Sequence, residues 1–290
     1  MSASTEPVFF PDAPAASAQE VRIVIVPVPF DMTSTWGKGA DQGPRALLEA
    51  SAHLEGLDLE TMTEVYREGI FTDRPVVEWD SPATLVAAVR QRVGSWLAQD
   101  KFCVVVGGEH TVTVGAVQAH ADSYSDISVL QLDAHSDLRD TYHGSPFNHA
   151  CVMARVRECC PAVQVGIRSM DRSELNNVDR VDLFFAHTLQ TTADDWVEDV
   201  VQRLSERVYV TIDLDVLDSA LMPSTGTPEP GGLQWYDLLR LLRRVTQERD
   251  VVGFDVVELC PQVTNKAPDF LAAKLVYTLL SYVFNVREQA

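Results

Sequence analysis

Three short segments of this 290-residue chain concentrate histidine and aspartate side chains. They read Gly-Gly-Glu-His at 107–110, Asp-Ala-His-Ser-Asp at 133–137 and Asp-Leu-Asp at 213–215. In an extended or loosely turned segment, side chains at i, i+2 and i+4 point to one side, so those within the last two segments can converge. Imidazoles and carboxylates at this spacing indicate a metal site. The predicted ligands are His110, Asp133, His135, Asp137, Asp213 and Asp215.

The chemical types of these six residues narrow the choice of metal. Two imidazoles with four carboxylates and no thiolate suit a hard to borderline ion such as Mn²⁺, although Ni²⁺ would also accept them. Six donors exceed what one tetrahedral zinc ion needs, so two ions with bridging aspartates fit better. Such a pair, about 3.5 Å apart, can hold a bridging hydroxide at neutral pH. Crowded carboxylates repel one another without a cation, which argues against a purely structural role for the whole set.

Each segment follows a short apolar, β-branched run that is typical of a buried parallel strand. Such runs predict strands over 21–28, 102–106, 127–132, 163–167, 208–214 and 251–257. Apolar residues at helical spacing predict helices over 43–54, 83–98, 112–120, 196–204 and 233–245. The alternation predicts an α/β fold with helices on both faces of one mostly parallel sheet. Because right-handed crossovers bring the carboxyl ends of the strands to one edge, the three segments are expected to meet there.

Composition excludes several classes of function. The chain has 42 acidic and 23 basic side chains, a formal net charge of −19, which argues against nucleic-acid binding. No stretch approaches a membrane span. The five cysteines include no Cys-x-x-Cys pair, which favours reduced thiols in a cytoplasmic protein. Residues 1–20 do not resemble a secretory signal and are expected to form a flexible arm, while 21–290 are expected to form a single domain.

The three segments resemble, in order, the hallmark blocks of the ureohydrolase family, which includes arginase and agmatinase. The third block continues into Gly-Thr-Pro-Glu-Pro-Gly-Gly at 226–232, and Gly-Pro-Arg-Ala-Leu at 43–47 and Asp-Val-Val-Glu at 255–258 also fit. The resemblance implies a three-layer, arginase-like α/β/α domain around about eight strands, commonly a homo-trimer or homo-hexamer. The sequence departs from the family where Ser219 replaces a usual proline and 223–227 read Pro-Ser-Thr-Gly-Thr, which affects the pocket border and no metal ligand.

The resemblance also implies roles for individual residues. One Mn²⁺ would be bound by His110, Asp133, Asp137 and Asp213, and a second by Asp133, His135, Asp213 and Asp215. Asp137 would accept a hydrogen bond from the attacking group. Glu258 would pair with a guanidinium, and Thr227 in the third block would contact the substrate. His149, in Asn-His-Ala at 148–150, would shuttle a proton and also border the substrate, with His143 as a rival for the shuttle.

The loop at 138–148 looks more like the agmatinase branch, which implies cleavage of agmatine to putrescine and urea. Arg139 and His143 could instead meet a substrate carboxylate, so guanidinobutyrase, guanidinopropionase, arginase and formimidoylglutamase activities stay open. A non-catalytic regulatory subunit would be expected to have lost a ligand, and a zinc deacetylase on a related fold would need one metal and fewer carboxylates. Trp36 is expected to be a packing residue.

Overall fold

The computed structural model describes residues 6–12, 17–179, 181–189, 191 and 195–289. Its centre is an eight-stranded sheet in which all neighbouring strands are parallel. The strands are β1 (Ile23–Val28), β2 (Ile70–Thr72), β3 (Phe102–Gly107), β4 (Ile127–Leu132), β5 (Ala162–Ile167), β6 (Val181–Phe185), β7 (Arg207–Asp213) and β8 (Asp250–Val257). Their order across the sheet is β2-β1-β3-β8-β7-β4-β5-β6. The predicted parallel α/β sheet of about eight strands is confirmed.

Helices cover both faces of this sheet. In the described part of the chain they are α1 (Gly43–Ser51), α2 (Pro82–Leu97), α3 (Val112–Ser123), α4 (Val152–Cys159), α5 (Ala186–Leu189), α6 (Trp196–Arg203), α7 (Trp235–Glu248) and α8 (Ala267–Gln289). One hydrophobic cluster joins α1, α6, α7 and α8 to the sheet, and a second joins α2, α3 and α4. Strand side chains alternate between the two clusters, as Val104 and Val105 show. The three-layer α/β/α arrangement is therefore confirmed.

The elements that the sequence pattern did not predict are short, peripheral or uniformly buried. Strand β2 has three residues, and β6 is a half-buried strand at the far edge of the sheet. Helices α4 and α5 are also short. In α8, residues 275–284 are all buried, so this part of the helix has no solvent-exposed face and does not show the amphipathic pattern of a surface helix.

Helix α8 also corrects the expectation that no stretch approaches a membrane span. Its window Ala267–Val286 is long and apolar enough to cross a membrane by length and composition, with a mean hydropathy of 1.2. However, 72% of that window is buried in the fold, where α8 packs against α1 and α7. We therefore interpret α8 as a core helix.

Part of the expected N-terminal arm packs on the domain. Residues 1–5 and 13–16 lie outside the described residues. Phe9 and Phe10 are buried, and their backbone N–H groups donate to Thr72 Oγ1 and Ser51 Oγ at 2.9 Å each. The expectation of a flexible arm over residues 1–20 does not hold for Phe9 and Phe10, because burying their two aromatic rings stabilises this segment against the domain.

Strands β3, β8, β7 and β4 are neighbours at the centre of the sheet, and their register aligns their carboxyl ends. Leu132 of β4 pairs with Ile212 of β7, which pairs with Val256 of β8, which pairs with Val106 of β3. The three His/Asp segments follow β3, β4 and β7, and Glu258 follows β8. The fold thus brings all four strand ends to one place.

Candidate metal centre

A tight turn after β3 directs His110 over the edge of the sheet. A Cβ atom on Gly108 would lie 2.1 Å from the carbonyl oxygen of Phe30, so only glycine fits at this position. The carbonyl oxygen of Gly108 accepts a hydrogen bond from the backbone N–H of Glu258 at 2.8 Å. The backbone N–H of His110 donates in return to Glu258 Oε1 at 2.7 Å. These bonds fix the end of β8 against the turn that carries His110.

His110 lies among three buried carboxylates. Its Nδ1 atom is 3.1 Å from Asp133 Oδ2, 3.1 Å from Asp137 Oδ2 and 3.6 Å from Asp213 Oδ2. Asp137 adopts a left-handed backbone conformation, with φ of 51°. Its carbonyl oxygen accepts from the N–H groups of Met153 and Ala154 at the start of α4, which stabilises this uncommon conformation.

His135 forms the other half of the cluster. Its Nδ1 atom lies 3.0 Å from Asp215 Oδ2 and 3.6 Å from Asp133 Oδ1, so Asp133 faces one histidine with each carboxylate oxygen. Two groups of candidate ligand atoms result, each within 4.8 Å: His110, Asp133 and Asp213, and Asp133, His135 and Asp215. The structure therefore brings five of the six sequence-predicted ligands together in a pair of adjoining groups that share Asp133. The sixth, Asp137, lies beside the first group, with its Oδ2 atom 3.1 Å from His110 Nδ1.

The hydrogen bonds behind His110 show that the cluster suits a cation. Asp255 is buried and accepts from Thr211 Oγ1 at 2.6 Å and from the Tyr209 hydroxyl at 2.8 Å. Since the Thr211 hydroxyl proton points to Asp255, Thr211 Oγ1 accepts from His110 Nε2, 2.9 Å away. Nδ1 is then the lone-pair nitrogen, and it is buried without a hydrogen-bond partner among the described residues. A lone pair facing carboxylate oxygens fits a metal ion between them.

Burial and neighbouring negative charges disfavour the ionised forms of three carboxyl groups at the site. Burial, and then the negative charge of Asp133, raise the pKa of Asp137 to about 7. Burial and the charges of Asp215 and Asp133 raise the pKa of Asp213 well above its usual range. Burial and the nearby Glu109 raise the pKa of Glu258 to about 8. Positive charge beside these carboxyl groups would favour their ionised forms, and divalent ions would supply it.

A cavity of about 290 Å³ opens above the cluster. Its walls include His110, His135, Asp137 and Asp213 from the cluster, together with Glu258. Loops after other strands complete the cavity. They contribute Trp36, Arg139, Tyr142, His149, Asp171, Gly226 and Thr227, among other residues. A small molecule in this cavity can therefore reach the candidate metal ligands directly.

The two histidines that compete for the shuttle role lie in different surroundings. His149 lines the cavity, and its Nδ1 atom is 3.1 Å from Thr33 Oγ1. Burial is the main cause that lowers the pKa of His149 to about 4. His143 is exposed, packs against the ring of Tyr142 at 4.3 Å and does not line the cavity. Of the two, His149 is the one near the candidate metal ligands.

The remaining sequence-predicted positions lie at the cavity wall. Thr227 lines the cavity next to Gly226, whose carbonyl oxygen accepts from the N–H of Gly37 at 3.0 Å. Arg139 also lines the cavity, but its guanidinium is 3.8 Å from Asp171 Oδ2 and lies over the Tyr142 ring, 5.0 Å from its centroid. Asp171 therefore offsets the charge of Arg139 at the mouth.

Trp36, Glu109 and Thr211 were not predicted from the sequence to take part in this site. Trp36 is 83% exposed and lines the cavity, so the expectation that it is a packing residue is wrong. Glu109 is fully buried next to His110 and binds the loop that carries Thr33. The signal for Glu109 was its position in Gly-Gly-Glu-His. Thr211 follows no such motif and is recognisable only in three dimensions.

The fold and the site together define a three-layer α/β protein with a carboxylate and imidazole cluster that could hold two metal ions at the carboxyl edge of its sheet. The family model described as "Arginase family" matches residues 21–281. The chain therefore belongs to the arginase family, which binds a binuclear metal site and comprises ureohydrolases. This membership confirms the resemblance that the three sequence blocks indicated, and it supports hydrolase activity.

Individual relatives and structures are similar over nearly the whole chain. The N(1)-aminopropylagmatine ureohydrolase of Synechocystis is 36% identical over 277 residues, which cover 92% of this chain and 90% of the relative. A protein of the same name from Thermus thermophilus is 39% identical over 264 residues, 89% of each chain. The crystal structure of agmatine ureohydrolase from Thermoplasma volcanium superposes with a TM-score of 0.89 at 31% identity, covering 99% of this chain and 97% of that one.

Proposed function

We propose that this chain is a binuclear manganese hydrolase that cleaves the guanidinium C–N bond of a guanidino amine and releases urea. The convergence of six candidate metal ligands with Glu258 and His149 around one cavity is the observation that supports this most directly. One ion would be held by His110, Asp133, Asp137 and Asp213, and the other by Asp133, His135, Asp213 and Asp215. Nitrogen and carboxylate donors without thiolate suit Mn²⁺, and Ni²⁺ is the alternative to exclude.

When bound, the two ions would lower the pKa of a water molecule and stabilise negative charge that develops at the guanidino group. The protein side chains would hold the substrate and move its protons. Glu258 would accept hydrogen bonds from the guanidinium, since its carboxylate lies at the cavity wall beside the cluster. Thr227, which also lines the cavity, would contact the substrate, and Asp137 would accept a hydrogen bond from the attacking water.

Hydrolysis adds the elements of water across the C–N bond. The oxygen goes to the guanidino carbon, which leaves as urea, and a proton goes to the departing amine. His149 would carry that proton. With its pKa lowered to about 4, the imidazole is neutral near pH 7 and would hold the proton only transiently during the transfer.

The proposal also specifies the charge of the substrate's tail. Agmatine, the expectation from the loop at 138–148, has a primary amine at the end of its tail. The pairing of Arg139 with Asp171 supports a cationic tail over a carboxylate, because the positive charge at the mouth is already offset. A carboxylate-bearing guanidino or formimino substrate would need Arg139 released from Asp171, and His143 does not line the cavity.

N(1)-aminopropylagmatine is the second candidate substrate. Two relatives that are 36% and 39% identical to this chain carry that name. A longer polyamine tail would extend past the cavity mouth, where the exposed ring of Trp36 can contact an ammonium group. This candidate therefore competes directly with agmatine.

The two other function classes have less support. A non-catalytic regulatory subunit would be expected to lack a ligand, whereas all six candidates and Glu258 are present around the cavity. A deacetylase with one zinc ion would not use the second group of ligands, Asp133, His135 and Asp215. Counting the bound ions separates the deacetylase from the proposal, and urea release by the protein with two bound ions separates the non-catalytic subunit.

The proposal also includes the oligomeric state and the cellular compartment of the protein. We expect a homo-trimer or homo-hexamer, as in the family, located in the cytoplasm. All five cysteines lie within the described residues and none forms a disulfide, which agrees with a reducing compartment. Nucleic acid and membranes are not expected partners.

The test is urea release by the manganese-loaded protein from agmatine, N(1)-aminopropylagmatine, arginine, guanidinobutyrate and guanidinopropionate. We expect urea from the two amines alone. The Glu258→Gln variant should raise KM at least about 10-fold, since it loses a charge-assisted hydrogen bond. Glu229→Gln is the matched control, because Glu229 lies in the same third block without lining the cavity.

If urea is released only from a carboxylate-bearing substrate, the proposed cationic tail is wrong, but the proposal of a ureohydrolase stands. No urea from any substrate, with two ions bound per chain, would contradict the proposed function as a whole.

A further inference from the structure

Glu109 is a buried carboxylate beside the cluster that the proposed reaction does not use. Four donors converge on it. Glu109 Oε2 accepts from the backbone N–H of Thr33 at 2.6 Å and of Ser34 at 2.8 Å. Glu109 Oε1 accepts from the hydroxyl of Thr33 and from Thr111 Oγ1, the latter at 2.7 Å. Each oxygen receives two donors, so Glu109 acts as the acceptor for all four groups.

The hydroxyl of Thr33 joins Glu109 to His149. A hydroxyl has one proton to donate and two lone pairs that accept. The proton of Thr33 goes to Glu109, because a carboxylate is a stronger acceptor than a neutral imidazole and lies closer. One lone pair of Thr33 Oγ1 then accepts from the backbone N–H of His149 at 3.1 Å, and the other faces His149 Nδ1 at 3.1 Å.

The partner of that second lone pair must be a donor. His149 Nδ1 therefore carries the ring proton, which leaves Nε2 as the nitrogen with a free lone pair. We propose that Glu109 is a positioning residue that fixes the tautomer of His149 through the hydroxyl of Thr33, with the proton on Nδ1 and the lone pair on Nε2.

The kinetic consequence rests on the proposed function, in which His149 carries a proton between water and the leaving amine. With Nδ1 occupied by Thr33, only Nε2 can accept and release that proton. The same bonds hold Thr33 and Ser34, so Glu109 also anchors the loop that carries Trp36 to the cavity wall. Glu109 thereby acts on the reaction without touching the substrate.

Glu109→Gln changes this arrangement with almost no change of volume. A glutamine can accept through its carbonyl oxygen, but its amide group donates. An amide N–H directed at Thr33 Oγ1 would turn the hydroxyl proton towards His149 Nδ1, which then becomes an acceptor and moves the ring proton to Nε2. The variant should keep the fold and reverse the tautomer.

The experiment is neutron diffraction from deuterium-exchanged crystals of the manganese-loaded protein at neutral pH. We expect deuterium on His149 Nδ1 and none on Nε2 in the wild type and in Thr33→Ser, which retains the hydroxyl. Deuterium on Nε2, alone or together with Nδ1, would overturn the proposal. This readout is independent of activity, so a wild type that releases no urea contradicts the proposed function and leaves the tautomer assignment in place.

Steady-state kinetics of the Glu109 and Thr111 variants adds a second readout. Glu109→Gln should lower kcat about 100-fold, because the imidazole presents the wrong nitrogen, while KM changes by less than about threefold and two ions stay bound. Thr111→Val is the matched control: it removes one donor to Glu109 that does not reach His149, and Nδ1 should keep its deuterium. A loss of kcat in Thr111→Val equal to that in Glu109→Gln would contradict a role through Thr33.

Discussion

The Nε2 atom of His110 lies 2.9 Å from the hydroxyl oxygen of Thr211, a residue in the interior of β7. The Thr211 hydroxyl proton is directed to Asp255, so His110 donates from Nε2 and directs the lone pair of Nδ1 towards the carboxylates. The orientation of a candidate metal ligand is therefore set by the sheet beneath it.

Thr211→Val should weaken manganese binding about 10- to 100-fold, because His110 loses the acceptor that fixes its tautomer. Equilibrium dialysis against buffered Mn²⁺ measures the change. Thr211→Ser retains the hydroxyl and is the control. Equal affinity in the valine and serine variants would show that the Asp255–Thr211–His110 chain does not orient the ligand.

His149 and His143 are expected to differ sharply in their effect on turnover. His149→Asn should lower kcat about 100-fold, the contribution of a positioned proton carrier, whereas the exposed His143→Asn should leave it within about twofold. Steady-state urea release with saturating substrate measures both. The reverse order of effects would assign the shuttle to His143.

Trp36 is expected to discriminate between the two candidate substrates. An aromatic ring contributes about 0.5–1 kcal/mol to an ammonium group at an exposed site, a factor of about 2 to 5. Trp36→Ala should therefore raise KM for N(1)-aminopropylagmatine by about that factor relative to KM for agmatine, and Trp36→Phe should raise it less. An equal change for both substrates would indicate that Trp36 does not contact the longer tail.

His120 is expected to make the fold sensitive to mild acid. Burial lowers its pKa from 6.5 to about 4, and its Nδ1 atom lies 2.8 Å from the carbonyl oxygen of Ala116. The unfolded chain binds this proton below pH 6.5 and the folded chain does not, so stability is complete above pH 6.5 and falls as the pH drops towards 4. Between about pH 7.5 and about pH 5 the loss should be about 2 kcal/mol.

Urea denaturation of the wild type and of His120→Leu at both pH values measures this loss. The leucine variant has no proton to gain at this position, so its change with pH should be smaller by about 2 kcal/mol. Equal pH dependence in the two proteins would show that His120 is not the group responsible.

The sequence was sufficient to predict the strands that position the site and the polar segments that follow them. Buried parallel strands have continuous apolar runs, so β3, β4, β7 and β8 and the polar segments after them were recognisable, and parallel topology required those segments to meet. Edge strand β6 and core helix α8 were missed because they lack the periodic pattern that amphipathic elements show.

The hydrogen-bonded surroundings of the ligands were not predictable in the same way. Thr211 and Asp255 read as ordinary strand residues, and their importance depends on β7 lying between β8 and β4. Thr33 is separated from Glu109 by 76 positions and from His149 by 116, so no local pattern connects them. The packing role predicted for Trp36 was wrong because most tryptophans are buried in a core, whereas Trp36 is exposed and lines the cavity.

The most direct test of the central claim is the number of ions bound per chain, measured with urea release on the same sample. We expect two Mn²⁺ per chain in the wild type, one in Asp215→Asn, whose side chain would serve one ion, and loss of both in Asp133→Asn, whose two oxygens face both histidines. Turnover of a guanidino amine should require both ions. A wild type that binds one ion, or that releases urea undiminished with one, would contradict a binuclear hydrolytic centre.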